Sequence, residues 1–134
     1  MALKELSPFY HGIGLLQDVV NLGRSSRYRL TRHAAMRGAD YEGMLCGLNA
    51  PSDAAAWSIR GRLERLLGRP AKARRSLKKA VNLAPELADA RAWLWELDSQ
   101  GPLSALEGLS HAISLDPRNA WLASWRGLAR LALR

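Results

Sequence analysis

The chain has 134 residues, of which 48 % are hydrophobic and 24 % are charged, and its formal net charge is +8. This composition is ordinary for a soluble globular domain and excludes disorder throughout. The single cysteine, Cys46, excludes an intramolecular disulfide, suits a reducing cytoplasm and is expected to be buried. No secretory signal pattern and no run of about 18 apolar residues is present. We therefore expect a cytoplasmic protein without a membrane span.

The charges are segregated along the chain. Residues 24–79, the basic block, hold fourteen Arg or Lys and four Asp or Glu. Residues 80–117, the acidic block, hold one Arg and six Asp or Glu, and residues 118–134 add four arginines. Such a distribution favours an anionic partner, and it also permits head-to-tail association of identical copies.

Residues 1–53 predict an irregular helical region. Apolar residues at helical spacing indicate a helix over 9–22, and a second and a third helix are expected over 27–37 and 41–48. The glycines of the last part weaken a regular helix, since each costs up to about 1 kcal/mol in a helix interior. Pro51 precedes Pro85 by 34 residues, so a degenerate repeat is an alternative description of this region.

An internal repeat organises residues 54–134. At an offset of 32 residues, Ala73, Leu77, Ala80, Val81, Leu83 and Pro85 recur as Ala105, Leu109, Ala112, Ile113, Leu115 and Pro117. Positions i, i+4, i+7 and i+8 share one helix face, and the proline marks the end of the helix. The spacing therefore predicts equivalent amphipathic helices over 71–83 and 103–115.

Each of these helices has an upstream partner. Apolar stripes predict helices over 54–67 and 87–98, and a final helix over 120–134. Short turns separate the helices, which implies antiparallel neighbours. Three tryptophans lie on these stripes and are expected to pack between helices: Trp57, Trp93 and Trp125. Trp95 and Trp121 lie off the stripes.

This helical hairpin resembles the tetratricopeptide repeat. In 54–87 the matching residues are Trp57, Gly61, Gly68, Ala73, Leu77, Ala80 and Pro85. The second copy, 88–119, keeps Ala105, Leu109, Ala112 and Pro117, but it is two residues short and has Trp95 where the family has a small residue. The resemblance implies an all-α, right-handed array of helical hairpins, with 120–134 as a C-terminal capping helix.

The resemblance also implies a binding site, because first helices line a concave groove in this family. The groove residues that the resemblance implies are Ala55, Ser58, Arg62, Arg65 and Leu66. We add Arg69, because it continues the i, i+3, i+7 spacing that begins with Arg62 and Arg65. We call these six residues the arginine face. The acids nearest in sequence, Asp53 and Glu64, are too few to neutralise it. We therefore expect a partner with acidic or C-terminal carboxylate groups. The family's best-known carboxylate clamp has lysine at the position of Ser58 and asparagine at that of Arg62, so a chaperone-tail role is not implied.

No catalytic or metal-binding motif is visible. The histidines, His11, His33 and His111, are isolated, whereas a zinc site needs four donors at short spacings. No glycine-rich loop has the strand–loop–helix context of a phosphate loop. We expect no enzyme activity, no catalytic residue, no cofactor and no metal.

The sequence thus predicts a protein-interaction module, either a small chaperone or an adaptor, that holds a protein or peptide segment on the arginine face. Two alternatives stay open. Nucleic acid or another polyanion could bind the basic block, although the acidic block would repel a long phosphate track. Alternatively, the basic and acidic blocks of identical copies could pair head to tail and form a self-assembling scaffold.

Overall fold

The structure, a computed structural model, describes residues 15–22, 24–37, 40–49, 51–98 and 102–132. Within these ranges the chain is all-helical and has no strand. Residues 15–22 form α1, and a 3-10 turn over Ser26–Tyr28 leads into the next helix. The remaining helices are α2 (Arg29–Met36), α3 (Tyr41–Cys46), α4 (Ala54–Leu66), α5 (Pro70–Leu83), α6 (Ala88–Asp98), α7 (Pro102–Leu115) and α8 (Ala120–Ala132).

The predicted helices of 54–134 are confirmed to within about two residues at each end, the usual ambiguity of a helix boundary. The three helices predicted in 15–48 are also present, and α2 and α3 are short. The predicted start of the first helix, over 9–14, lies outside the described residues. So do the side chains of Ala105 and Trp121.

Helices α4 to α8 pack in chain order. Each contacts the next along the chain, and α4 also contacts α6. Their shared core includes both repeated leucines, Leu77 and Leu109, which are 0 % and 2 % exposed. Trp93 and Trp125 are buried in the same core with their ring centroids 5.8 Å apart.

A second core lies between α1, α2, α3 and α4. Leu15 and Val19 of α1 are fully buried in it, together with Met44 of α3 and Leu63 of α4. The Thr31 hydroxyl donates to the Met44 carbonyl at 3.0 Å and ties α2 to α3. The expectation of a buried thiol at Cys46 is wrong, because its position at the end of α3 leaves it exposed.

Local signals explain where α4 begins and ends. The Asp53 carboxylate accepts from the Ala56 amide at 2.8 Å and caps the first turn. After the helix, Gly68 has a φ of 76°, a left-handed conformation that glycine adopts without a Cβ clash. The chain can therefore reverse at once, and Pro70 begins α5 at a first helical position that suits proline.

Glycines at two helix crossings allow close approach. A Cβ on Gly61 would lie 2.6 Å from Leu77 Cγ and 3.1 Å from the Ala73 carbonyl oxygen, so α4 and α5 touch there. In the second hairpin the bulky Trp95 is on α6, and the space is provided by Gly108 of α7, where a Cβ would meet the Trp95 ring at 2.1 Å. The small residue at the crossing is therefore on the first helix in the pair α4 and α5, but on the second helix in the pair α6 and α7.

Candidate functional site

The arginine face is largely built into the interior of the protein. Ser58 and Arg62 are buried, and only Ala55 of the six residues is exposed. The other three, Arg65, Leu66 and Arg69, are partly buried. The expectation that the positive charge of the arginine face is not neutralised is wrong for Arg62, because the Asp18 carboxylate of α1 pairs with it.

The Arg62 guanidinium lies between three helices. Its Nη2 is 2.6 Å from the Asp18 carboxylate of α1, and its Cζ is 5.6 Å from the Trp93 ring centroid of α6. The Arg62 side chain is 4 % exposed, against 39 % for Asp18. A buried charge needs such compensation. We infer that Arg62 holds α1, α4 and α6 together.

Asp89 of α6 extends this buried polar cluster. Burial raises the pKa of its carboxyl, the positive charge of Arg62 opposes that rise in pKa, and the negative charge of Asp18 adds to it. Asn119 donates to the Asp89 carboxylate at 2.8 Å, and its own side-chain oxygen accepts from the Leu122 amide at 3.1 Å. The cluster therefore reaches the start of α8.

The other arginines of the arginine face also meet acids from distant helices. Arg65 forms a two-point contact with Glu96 of α6, at 2.9 and 3.2 Å. Arg69 pairs with Glu42 of α3. Both acids are remote in sequence, so counting only neighbouring acids overstated the free positive charge.

A cleft of about 410 Å³ opens elsewhere, between α3, α4 and α5, and we call it the basic cleft. Its lining residues are Leu45, Asn49, Trp57, Arg60, Glu64, Arg69, Lys72, Arg75, Ser76 and Lys79. Five of these side chains are cationic, and one is a carboxylate. Arg69 is the one member of the arginine face that reaches the basic cleft.

The carboxylate of the basic cleft is already engaged. Glu64 is 2 % exposed, accepts a hydrogen bond from the Ser76 hydroxyl, and lies 3.8 Å from Arg60 Nε. Arg60 also reaches the Asn49 carbonyl at 3.3 Å, which fixes one wall of the cleft. Glu64 therefore contributes little free negative charge to the cleft.

Trp57 provides an aromatic wall beside these cations. Lys79 Nζ lies 4.4 Å from the Trp57 ring centroid, and Arg60 Cζ lies 5.2 Å from it. Both distances fall in the range of cation–π attraction, so the indole helps to fix the two positive charges at the cleft.

Three cations of the basic cleft form a stripe on α5. Lys72, Arg75 and Lys79 follow the spacing i, i+3, i+7, so they lie on one helix face, and all three are exposed. Among the described residues, no Asp or Glu lies within ion-pair distance of any of them. We call these three residues the α5 stripe.

The position of Lys72 is unfavourable for the helix itself. Lys72 lies in the first turn of α5, which contains no acid, and Arg69 at the N-cap makes no side-chain capping bond. Cations near a helix N-terminus oppose the helix dipole. Stability of α5 therefore does not account for Lys72.

The basic block over 24–79 was recognised from the sequence, but the predicted site was on the first helix of the hairpin. The missed signal was the i, i+3, i+7 spacing of the α5 stripe on the second helix. The spacing was visible, but the convergence of α5 with Trp57 and with α3 depends on tertiary packing.

No model of a known protein family matches the chain, and no curated protein matches it at a significant level. Among the described helices, none is long and apolar enough to cross a membrane. The described residues contain no group of three or more His, Cys, Asp or Glu that could hold a metal ion.

Proposed function

We propose that the chain is a non-enzymatic protein-interaction module that binds an acidic segment of a partner protein in the basic cleft. The in-order packing of α4 to α8, together with the tetratricopeptide-like residue pattern, supports an array of helical hairpins, whose usual use is to present a binding surface. An adaptor or a small cytoplasmic chaperone would both work in this way.

The observation that carries the proposal is the charge balance of the basic cleft. Five cationic side chains line it, whereas Glu64 is buried and hydrogen-bonded, and Glu42 compensates Arg69 alone. The α5 stripe is left as uncompensated positive charge on the wall of a concave surface. Such a surface attracts and orients an anionic segment.

The same reasoning moves the binding site away from the arginine face. A partner carboxylate at Arg62 would have to displace Asp18, and α1 buries Leu15 and Val19 in the core beside it. Displacing α1 would therefore expose apolar surface, at about 1.5–3 kcal/mol for each large side chain. The basic cleft requires no such rearrangement.

The proposal is tested with a fluorescein-labelled oligoglutamate peptide in an anisotropy titration. We expect Lys72→Glu together with Arg75→Glu to weaken binding by about tenfold or more, since each exposed charge contact contributes up to about 1 kcal/mol and reversal adds repulsion. The matched control is Lys78→Glu together with Arg118→Glu, which changes the net charge equally at exposed positions outside the basic cleft.

Equal losses in the two double variants would contradict the proposal. Binding would then follow the net charge of the whole chain, as in diffuse polyanion or nucleic-acid association. Circular dichroism of both variants checks that the helical content is unchanged.

A further inference from the structure

We propose that the group recognised in the basic cleft is a phosphate on a phosphorylated segment of the partner protein. This inference rests on the proposed function and specifies the chemistry of its ligand.

The first argument is the number of charges. Arg69 and Glu42 pair with each other, and Arg60 lies beside Glu64, so the α5 stripe supplies three positive charges with no acid in ion-pair range among the described residues. One carboxylate carries a single negative charge and would leave most of this stripe uncompensated. A phosphate monoester carries about −1.5 to −2 at neutral pH and has three strong acceptor oxygens. It therefore matches three donors better than an Asp or Glu side chain does.

The second argument is the arrangement of the donors. Lys72, Arg75 and Lys79 lie along one face of α5, and Lys79 is held against Trp57 at 4.4 Å. Clusters of this kind, with an arginine able to contact two oxygens at once, are a recurrent way to recognise phosphorylated segments. A single carboxylate has only two oxygens and one negative charge, so a third cationic donor would have no oxygen of its own to bind.

The third argument is the shape of the cleft. Its volume of about 410 Å³ exceeds the space of a single phosphate group, and the remaining wall includes the apolar surfaces of Trp57 and Leu45. A free phosphate ion would leave this wall uncovered. A phosphorylated side chain on a peptide would place its neighbouring residues there, which favours a segment of a partner protein as the source of the phosphate.

The experiment compares three pools of labelled peptides with the same randomised flanks and a central serine, glutamate or phosphoserine. We expect the phosphoserine pool to bind the full chain at least about tenfold more tightly than the glutamate pool, and the serine pool to bind least. Lys72→Glu with Arg75→Glu should abolish the preference for phosphoserine. The control, Lys78→Glu with Arg118→Glu, should keep it.

A pH series adds a second readout. The second pKa of a phosphate ester is about 6, whereas the glutamate side chain of an ordinary peptide is already ionised at about pH 5.5. Binding of the phosphoserine pool should therefore weaken relative to that of the glutamate pool as the pH falls through 6, because the histidines of the chain and of the flanks affect both pools alike.

The outcomes separate the inference from the proposed function. Equal affinity for the glutamate and phosphoserine pools, both lost in the cleft variant, would overturn the inference and keep the proposed function. No binding of either pool would overturn both. A single-stranded oligonucleotide that binds as tightly as the phosphoserine pool, and is lost in the cleft variant, would overturn the peptide source in favour of nucleic acid.

Discussion

Replacing Arg62 with methionine tests whether this arginine holds three helices together. The change keeps much of the side-chain volume but leaves Asp18 and Asp89 without the positive charge beside them. Removing one partner of a fully buried ion pair destabilises a protein by about 3–5 kcal/mol. Because Asp18 is 39 % exposed, water recovers part of that loss, and we expect about 2–4 kcal/mol here.

The loss should depend on pH in a defined direction. The pKa of Asp89 is already raised by burial, and removing Arg62 raises it further. A carboxyl group whose pKa is raised in the folded protein binds its proton more tightly there than in the unfolded chain. Above the folded-state pKa the group is ionised, and its burial then lowers the stability of the folded state. The penalty disappears as the pH falls towards the unfolded value of 3.8. The difference between Arg62→Met and the unaltered chain should therefore be larger at neutral pH than in mild acid.

Urea unfolding followed by circular dichroism at neutral pH and in mild acid measures both quantities. The matched control is Arg65→Met, because Arg65 and its partner Glu96 are 31 % and 18 % exposed and the pair should be worth about 1 kcal/mol. If Arg62→Met costs no more than Arg65→Met, the assignment of a structural role to Arg62 is refuted. An equal cost at both pH values would instead contradict the electrostatic coupling between Arg62 and Asp89.

Two further predictions concern packing. Gly61→Ala should destabilise the chain by about 1–3 kcal/mol in thermal or urea unfolding, because the new methyl group meets Leu77 and the Ala73 carbonyl. The control, Gly127→Ala on α8, has nothing within 4 Å of the new methyl group and should stabilise the chain by up to about 1 kcal/mol. Equal effects of the two substitutions would contradict the close crossing of α4 and α5. Removing α8 from Ala120 onward should expose the core that Leu122 and Trp125 cover, and light scattering should detect aggregation; a truncated chain that stays monomeric and equally stable would show that α8 is no cap.

The repeat explains why so much of the helical arrangement could be predicted. Three of the repeated residues of α5, Ala73, Leu77 and Ala80, are buried, and Val81 packs against the core as a partly buried residue. Their counterparts Leu109 and Ala112 are buried core residues of α7. Periodicity reports which face of a helix is apolar. It therefore located the helices and their buried sides without information about distant contacts.

Charge compensation could not be predicted in the same way. Glu64, the acid nearest to Arg62 and Arg65, makes its hydrogen bond to Ser76 instead, while the acids that meet these two arginines are Asp18 and Glu96. An ion pair depends on which helices lie side by side, and that information is absent from local spacing. The expectation of uncompensated positive charge at Arg62 and Arg65 was wrong for this reason.

Trp95 shows a second limit of reading one helix at a time. In the sequence it marks a departure from the repeat, because a small residue is expected at its position on the first helix of the hairpin. In the structure its ring lies where a Cβ of Gly108 would be. The small residue at this crossing is Gly108 on α7, the second helix of the hairpin, instead of a small residue on α6. The two helices can therefore pack closely although the residue pattern differs from that of the first hairpin.

These contacts explain why uncompensated positive charge lies on α5 rather than on α4. Helix α4 contacts α3, α5 and α6, and its Arg62 and Arg65 are engaged by acids of α1 and α6. Helix α5 buries the face that contains Leu77, and the α5 stripe lies beside that face and lines the basic cleft. A helix packed on several sides can carry charge only where a neighbour compensates it. A helix with one open face can hold uncompensated charge, and such charge is available to a partner.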